Sequence, residues 1–215
     1  STTVGFLGQQ GAPKQNAYDS QSDRSIGTQD IAHRVVMSYL WELPFGKGRK
    51  WGNGWHPAAN TVLGGWQVNG ITTFQSGLPI FVTQSAQALN LRDGAQRPMW
   101  NGNDANLTGT KEQKIAKWFD TSAFSTTPAF TLGNAPRVMP DLRVDGEKSF
   151  DLSLFKNNYF HEGKWNVQFR TEFFNAFNRV RFAGPNAQVG NSAFGVVSSQ
   201  GNGPRQIQMA IKLVF

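Results

Sequence analysis

The chain has 215 residues, no cysteine, 13% aromatic and 16% charged residues, 23 glycines and a formal net charge of +7. The absence of cysteine excludes a disulfide framework, thiolate metal ligation and a cysteine nucleophile, and with no run of eighteen apolar residues a transmembrane helix is excluded as well. Lysine and arginine are scattered rather than gathered on a stripe, so the charge reads as surface potential and no nucleic-acid partner is expected.

The chain opens Ser-Thr-Thr-Val-Gly, with neither an initiator Met nor a signal peptide, as a processed or excised piece of something longer would. Residues 1–31 are polar and read as a loop, with one short strand near Thr3 to Leu7. From Ala32 to Leu43 the pattern sharpens into a strand. His33, Val35, Met37, Tyr39, Trp41 and Leu43 take one face, and Arg34, Val36, Ser38, Leu40 and Glu42 the other. Pro44, Gly46 and Gly48 end it. Residues 44–65 form a connection with Asn53-Gly54 as a tight turn. Its Lys47, Arg49 and Lys50 beside Trp51 and Trp55 suit either a membrane interface or a solvated loop.

Trp66 to Thr83 reads as a second long strand, with Trp66, Val68, Thr72 and Phe74 opposite Gln67, Asn69, Thr73 and Gln75. Gly77 and Pro79 bend or interrupt it. Residues 84–148 have weak periodicity, which is abnormal for one loop of a compact soluble domain and ordinary for the outer side of a barrel. Within them Lys111 to Phe119 fits one or two helical turns anchored by Trp118-Phe119. Ser149 to Phe160 and Lys164 to Asn175 form a hairpin across His161-Glu162-Gly163. Its second arm sets Trp165, Val167, Phe169, Thr171 and Phe173 against Asn166, Gln168, Arg170, Glu172 and Phe174. A Gly- and Asn-rich loop with a short strand near Phe194 to Val197 leads to the last strand.

In that last strand Ile207, Met209, Ile211, Leu213 and Phe215 share one parity, and Gln206, Gln208, Ala210 and Lys212 the other. Such a segment suits the final strand of an outer-membrane barrel, with apolar side chains toward lipid and polar ones toward the lumen. It suits equally the last strand of a soluble sandwich with its apolar face on a core.

Several stretches together resemble the C-terminal barrel region of TonB-dependent outer-membrane receptors, the Oar-like group in particular. They are His33-Arg34-Val35-Val36 through Glu42-Leu43-Pro44-Phe45-Gly46-Lys47-Gly48, Leu63-Gly64-Gly65-Trp66-Gln67-Val68-Asn69-Gly70-Ile71 and Phe74-Gln75-Ser76-Gly77-Leu78-Pro79. To these are added Trp118-Phe119-Asp120-Thr121-Ser122-Ala123-Phe124, Asp151-Leu152-Ser153-Leu154-Phe155-Lys156, Arg170-Thr171-Glu172-Phe173-Phe174-Asn175-Ala176-Phe177-Asn178 and the terminal Phe215. The resemblance implies a non-catalytic barrel wall for nutrient uptake in the bacterial outer membrane. Its partners would be outer-membrane lipid, the remainder of the barrel and a plug upstream of Ser1, and the barrel-assembly machinery acting on the C-terminal strand.

The expected fold is all-β, an antiparallel up-and-down set of strands with long loops on one side, or an open sheet closed by neighbouring subunits. Residues 1–215 form one barrel-like segment, divided at 31, 83 and 148. Val35, Met37, Tyr39, Trp41, Trp165, Val167, Phe169, Phe173, Ile207, Met209, Ile211, Leu213 and Phe215 face lipid or another subunit. Arg34 with Glu42 and Arg170 with Glu172 lie on the polar face and pair across strands or sit exposed. An alternative is an extracellular filament, a homo-polymer built by strand-edge pairing. A third is a soluble carbohydrate-binding sandwich using Trp51, Trp55, Trp100 or Trp118. His33, His56 and His161 lack ligand spacing, so no metal, cofactor or catalytic residue is expected. Asn106-Leu107-Thr108 fits the glycan-acceptor pattern.

Overall fold

The computed structural model describes residues 14–16, 18–86, 89, 91, 96–160 and 165–215. In chain order the elements are β1 (Arg34–Glu42), α1 (Pro57–Leu63), β2 (Trp66–Gln75), β3 (Thr83–Gln84), β4 (Met99–Trp100) and α2 (Lys111–Ala116). A 3-10 turn (Thr121–Ala123) follows, then β5 (Phe124–Ser125), β6 (Glu147–Phe160), β7 (Trp165–Phe174), β8 (Gln188–Val189) and β9 (Gln206–Val214). They gather into two compact units. One takes residues 34–75, 147–180 and 203–215, and the other the segments up to His33, 76–146 and 181–202.

The sheet unit is a five-stranded antiparallel meander in the order β1-β2-β6-β7-β9. Its strands form where the sequence alternates, because period two lays each parity on one face. The register runs Tyr39↔Gly70↔Leu152↔Phe173↔Ile207 in one row and Trp41↔Val68↔Leu154↔Thr171↔Met209 in the next. Gly70 lies under the ring of Tyr39, its direct partner, so a β-carbon there would meet the ring at 2.4 Å. After β7 the backbone turns through Asn175 and Asn178, both left-handed with φ 49°, a conformation asparagine tolerates. Asn175 donates its backbone N–H to Asp151 Oδ1 at 2.9 Å and its side-chain amide to Arg179 and Gly203 carbonyls.

The other unit has its own interior, formed by Ile80, Val82, Trp118, Phe119, Phe124, Met139, Leu142, Val189 and Val197. Phe119 is wholly buried and meets Phe124 and Phe194 edge-on at 5.9 and 5.2 Å. Trp118 is buried too, its indole N–H donating to the Arg143 carbonyl at 2.9 Å. Thr110 and Gln113 form a capping box that starts α2, which delivers the two aromatics as the sequence predicts. A buried polar knot joins Gln15, Asp23, Arg97 and Gly133. The Gln15 side-chain oxygen accepts from Arg97 N at 2.7 Å, its amide donates to Gly133 O at 2.9 Å, and Arg97 pairs with Asp23 at 3.3 Å.

Three expectations are corrected. The long second strand stops at Gln75, and Thr83 belongs to the separate β3, which pairs in parallel with β8. Gly77 breaks it, with its backbone so close to Val144 that a β-carbon would sit 1.8 Å from the Val144 carbonyl oxygen. Phe194 to Val197 is turn and coil rather than strand, since Phe194 points into the aromatic cluster instead of a ladder. The connection at 44–65 carries α1, started by Pro57 and capped by His56, whose Nδ1 accepts from Ala58 N at 3.3 Å. The short strand near Thr3 to Leu7 and the His161-Glu162-Gly163 turn lie outside the described residues.

Candidate functional site: the two faces of the sheet

Register and parity place Val35, Met37, Tyr39 and Trp41 of β1 on the same face as Val68, Thr72 and Phe74 of β2. Across the sheet this face continues through Phe150, Leu152 and Leu154 to Trp165, Val167, Phe169 and Phe173, and ends in Ile207, Met209, Ile211 and Leu213. Phe215 joins it by stacking on Trp165, ring centroids 5.5 Å apart. All thirteen residues expected to face lipid or a subunit are therefore gathered on one surface. Large side chains stand open on it: Met209 is 69% exposed and Ile211 75%. A water-soluble fold does not leave so long a row of apolar groups uncovered.

Aromatics stand near both strand ends on this surface. Trp41, Trp66, Trp165 and Phe215 lie near one end of their own strands. Phe74, Phe150 and Phe173 lie near the other, with Phe74–Phe150 edge-on at 5.6 Å. The sequence reading missed that Lys148 and Lys156 share the apolar parity. Lys156 is accommodated by its neighbours: its ammonium donates to the Gly64 carbonyl and lies 5.2 Å from the Trp66 ring centroid, at the tryptophan end. A long cationic side chain at that level reaches polar partners while its stem stays among apolar groups.

The opposite face carries most of the polar side chains, with Val36, Leu40, Ile71, Phe155 and Phe174 interspersed among them. Gln67, Asn69, Asp151, Ser153, Asn157, Asn166, Gln168, Arg170, Glu172, Gln208 and Lys212 line it. Gln168 donates to Asn157 Oδ1 at 3.0 Å, and Gln67 to Asn69 Oδ1 at 3.0 Å. A hollow of about 490 Å³ opens between polar groups, Ser38, Asn69, Asp151, Ser153, Arg170 and Glu172, and apolar ones, Leu40, Ile71, Phe155 and Phe174 among them. Arg170 pairs with Glu172 at 2.8 Å and sits 4.6 Å from the centroid of Phe155, its cross-strand partner. The expected Arg34–Glu42 pair does not form. These residues stand at opposite ends of β1, and Glu42 instead takes Arg49 at 2.6 Å. Asn106 lies in the other unit, exposed, with its amide donating to Asp104 Oδ1 at 2.8 Å.

The sheet unit contains a single sheet among the described residues, and the burial of Trp118 removes one of the sugar-binding candidates of a soluble sandwich. An antiparallel meander with one apolar surface, aromatics near its strand ends and polar groups gathered on the other side has the pattern of a membrane β-barrel wall. The family model described as an outer membrane beta barrel domain matches residues 1–208, and the chain belongs to that family. Its place is the bacterial outer membrane. No curated protein and no solved structure matches the chain.

Proposed function

We propose that this chain forms the C-terminal barrel wall of a TonB-dependent receptor-like transporter, non-catalytic, with its apolar face on outer-membrane lipid and its polar face on a hydrated path for nutrients. The observation that carries this reading is the pair of sheet edges, β1 and β9, which no other strand among the described residues covers. β1 and β9 are exposed at every position, and an open strand edge in hydrocarbon leaves each unpaired N–H and C=O costing several kcal/mol. The wall therefore calls for further strands on both sides, as a larger barrel with a plug supplies. Arg170, Glu172 and the amide ladder would then lie on the lumen side. The same open edges favour a second reading, a filament in which neighbouring copies complete the sheet.

Both readings are separated by material taken directly from cells. The native gene product in purified outer membranes is expected to carry a plug on the same polypeptide and to give discrete particles only in detergent. Long regular fibres seen by electron microscopy without detergent, built from a polypeptide of about the 23.8 kDa of this chain, would sink the transporter reading.

A further inference from the structure

We infer that the outer edge of β1 is a self-recognition site, and that its occupant, wherever no barrel strand covers it, is the β1 of a second copy paired antiparallel about Ser38. The reasoning begins with strand direction. In an antiparallel meander of five strands β1 and β9 run the same way, so joining β9 of one copy to β1 of the next would make a parallel pair. Two copies related by a two-fold axis through an edge make an antiparallel one, the arrangement this sheet uses throughout.

The sequence of β1 fits that operation. Centred on Ser38, the pairing sets Arg34 opposite the partner's Glu42, Val35 opposite the partner's Trp41, Val36 opposite the partner's Leu40 and Met37 opposite the partner's Tyr39. All nine residues of β1 are matched. Val35, Met37, Tyr39 and Trp41 stay on one surface, and two opposite-charge pairs form, one at each end. Among the described residues Arg34 has no acidic partner, and Glu42 uses Oε2 for Arg49, leaving Oε1 open.

The backbone permits the same centre. Leu43 N–H donates to Trp66 O and Ser76 N–H to His33 O, each at 2.9 Å. Odd-numbered residues of β1 thus address β2, and the even-numbered ones, Ser38 at their middle, direct their N–H and C=O to the open edge. β9 offers no such match, since its single charge is Lys212. The inference is independent of the transporter reading, because it requires only an uncovered β1 edge.

The test uses the whole chain in detergent, so that the apolar face is covered. The chain has no cysteine, so Ser38→Cys reports alone. Its Cα would lie about 5.5 Å from the partner's Cys at that position, within disulfide reach. Oxidation is expected to give a covalent dimer from Ser38→Cys and little from Ala210→Cys at the centre of β9. Arg34→Glu and Glu42→Arg each set like charges opposite one another twice, and each is expected to weaken dimerisation roughly tenfold or more. Mixing the two variants restores both opposite-charge pairs, so native mass spectrometry should find the heterodimer, and the double variant should dimerise alone. A monomeric parent chain, equal cross-linking through Ala210→Cys, or a mixture without heterodimer would each overturn the assignment.

Discussion

Asp120 shows how one carboxylate holds a local fold together. Its Oδ1 accepts from Lys117 Nζ at 2.9 Å, Ser122 Oγ at 2.8 Å and Ser122 N at 3.2 Å, and the residue caps the 3-10 turn between Phe119 and Phe124. Those bonds, the one from Lys117 foremost, hold its carboxyl below the ordinary aspartate value of 3.8. A carboxylate whose folded pKa is depressed stabilises the fold above its unfolded value, and that contribution is lost as pH falls through the folded one. The thermal midpoint of the unit holding Asp120 is therefore expected to lose this contribution below about pH 4. Asp120→Asn, less stable at neutral pH, should lack that part of the acid slope. Parallel midpoint curves for the two proteins between pH 2 and 7 would refute the role given to Asp120. The part played by Asp120 was legible only as a position in a family-like stretch. Its partners Lys117 and Ser122 are near in sequence, but nothing in the spacing says which of them the carboxylate will take.

The five long strands were legible because each is half in one medium and half in another, and alternation records that difference. β7 and β9 show it most plainly, and the register then placed every candidate outward residue on one surface. Other elements left no such record. β3, β4, β5 and β8 are two residues each, too short for a period, and the core they frame is drawn from segments more than a hundred residues apart. The buried Arg97–Asp23 pair was invisible for the same reason, since only tertiary proximity makes these charges partners. Lys148 and Lys156 misled differently, their charge disguising an outward parity. Neighbouring residues of β9 provide the sharpest test of the two faces. Met209→Arg puts a cation on the apolar surface and should cost about 2–4 kcal/mol if it lies near the bilayer midplane, whereas Gln208→Arg on the polar side should cost about 0–1 kcal/mol. Urea unfolding in lipid vesicles measures both. Equal costs would mean that the apolar surface does not meet lipid.

For the molecule as a whole, the sequence made the barrel wall legible but not the compactness of what its connections carry. Residues 76–146 and 181–202 leave and return at the strand ends marked by Arg34, Gln75, Glu147, Phe174 and Gln206. Long connections on one side were expected. The apolar interior inside them was not, because Phe119, Val82 and Val189 are scattered among polar residues. The opposite strand ends carry residues 43–65 with α1, so that side is not confined to tight turns.

The distance between the two aromatic rows sets a further constraint. From Trp66 to Phe74 along β2 is about 27 Å of strand, or roughly 21 Å along the bilayer normal at a barrel tilt of about 40°. That matches a thin hydrocarbon layer, and bacterial outer membranes are thinner than average. Folding into dilauroyl vesicles should accordingly go further than into dioleoyl ones; equal yields would show that the rows do not set the depth. Hydrophobic mismatch then becomes a sorting signal written into strand length: a thicker membrane would have to thin around this wall, so the aromatic spacing that seats the chain in one bilayer disfavours it in another.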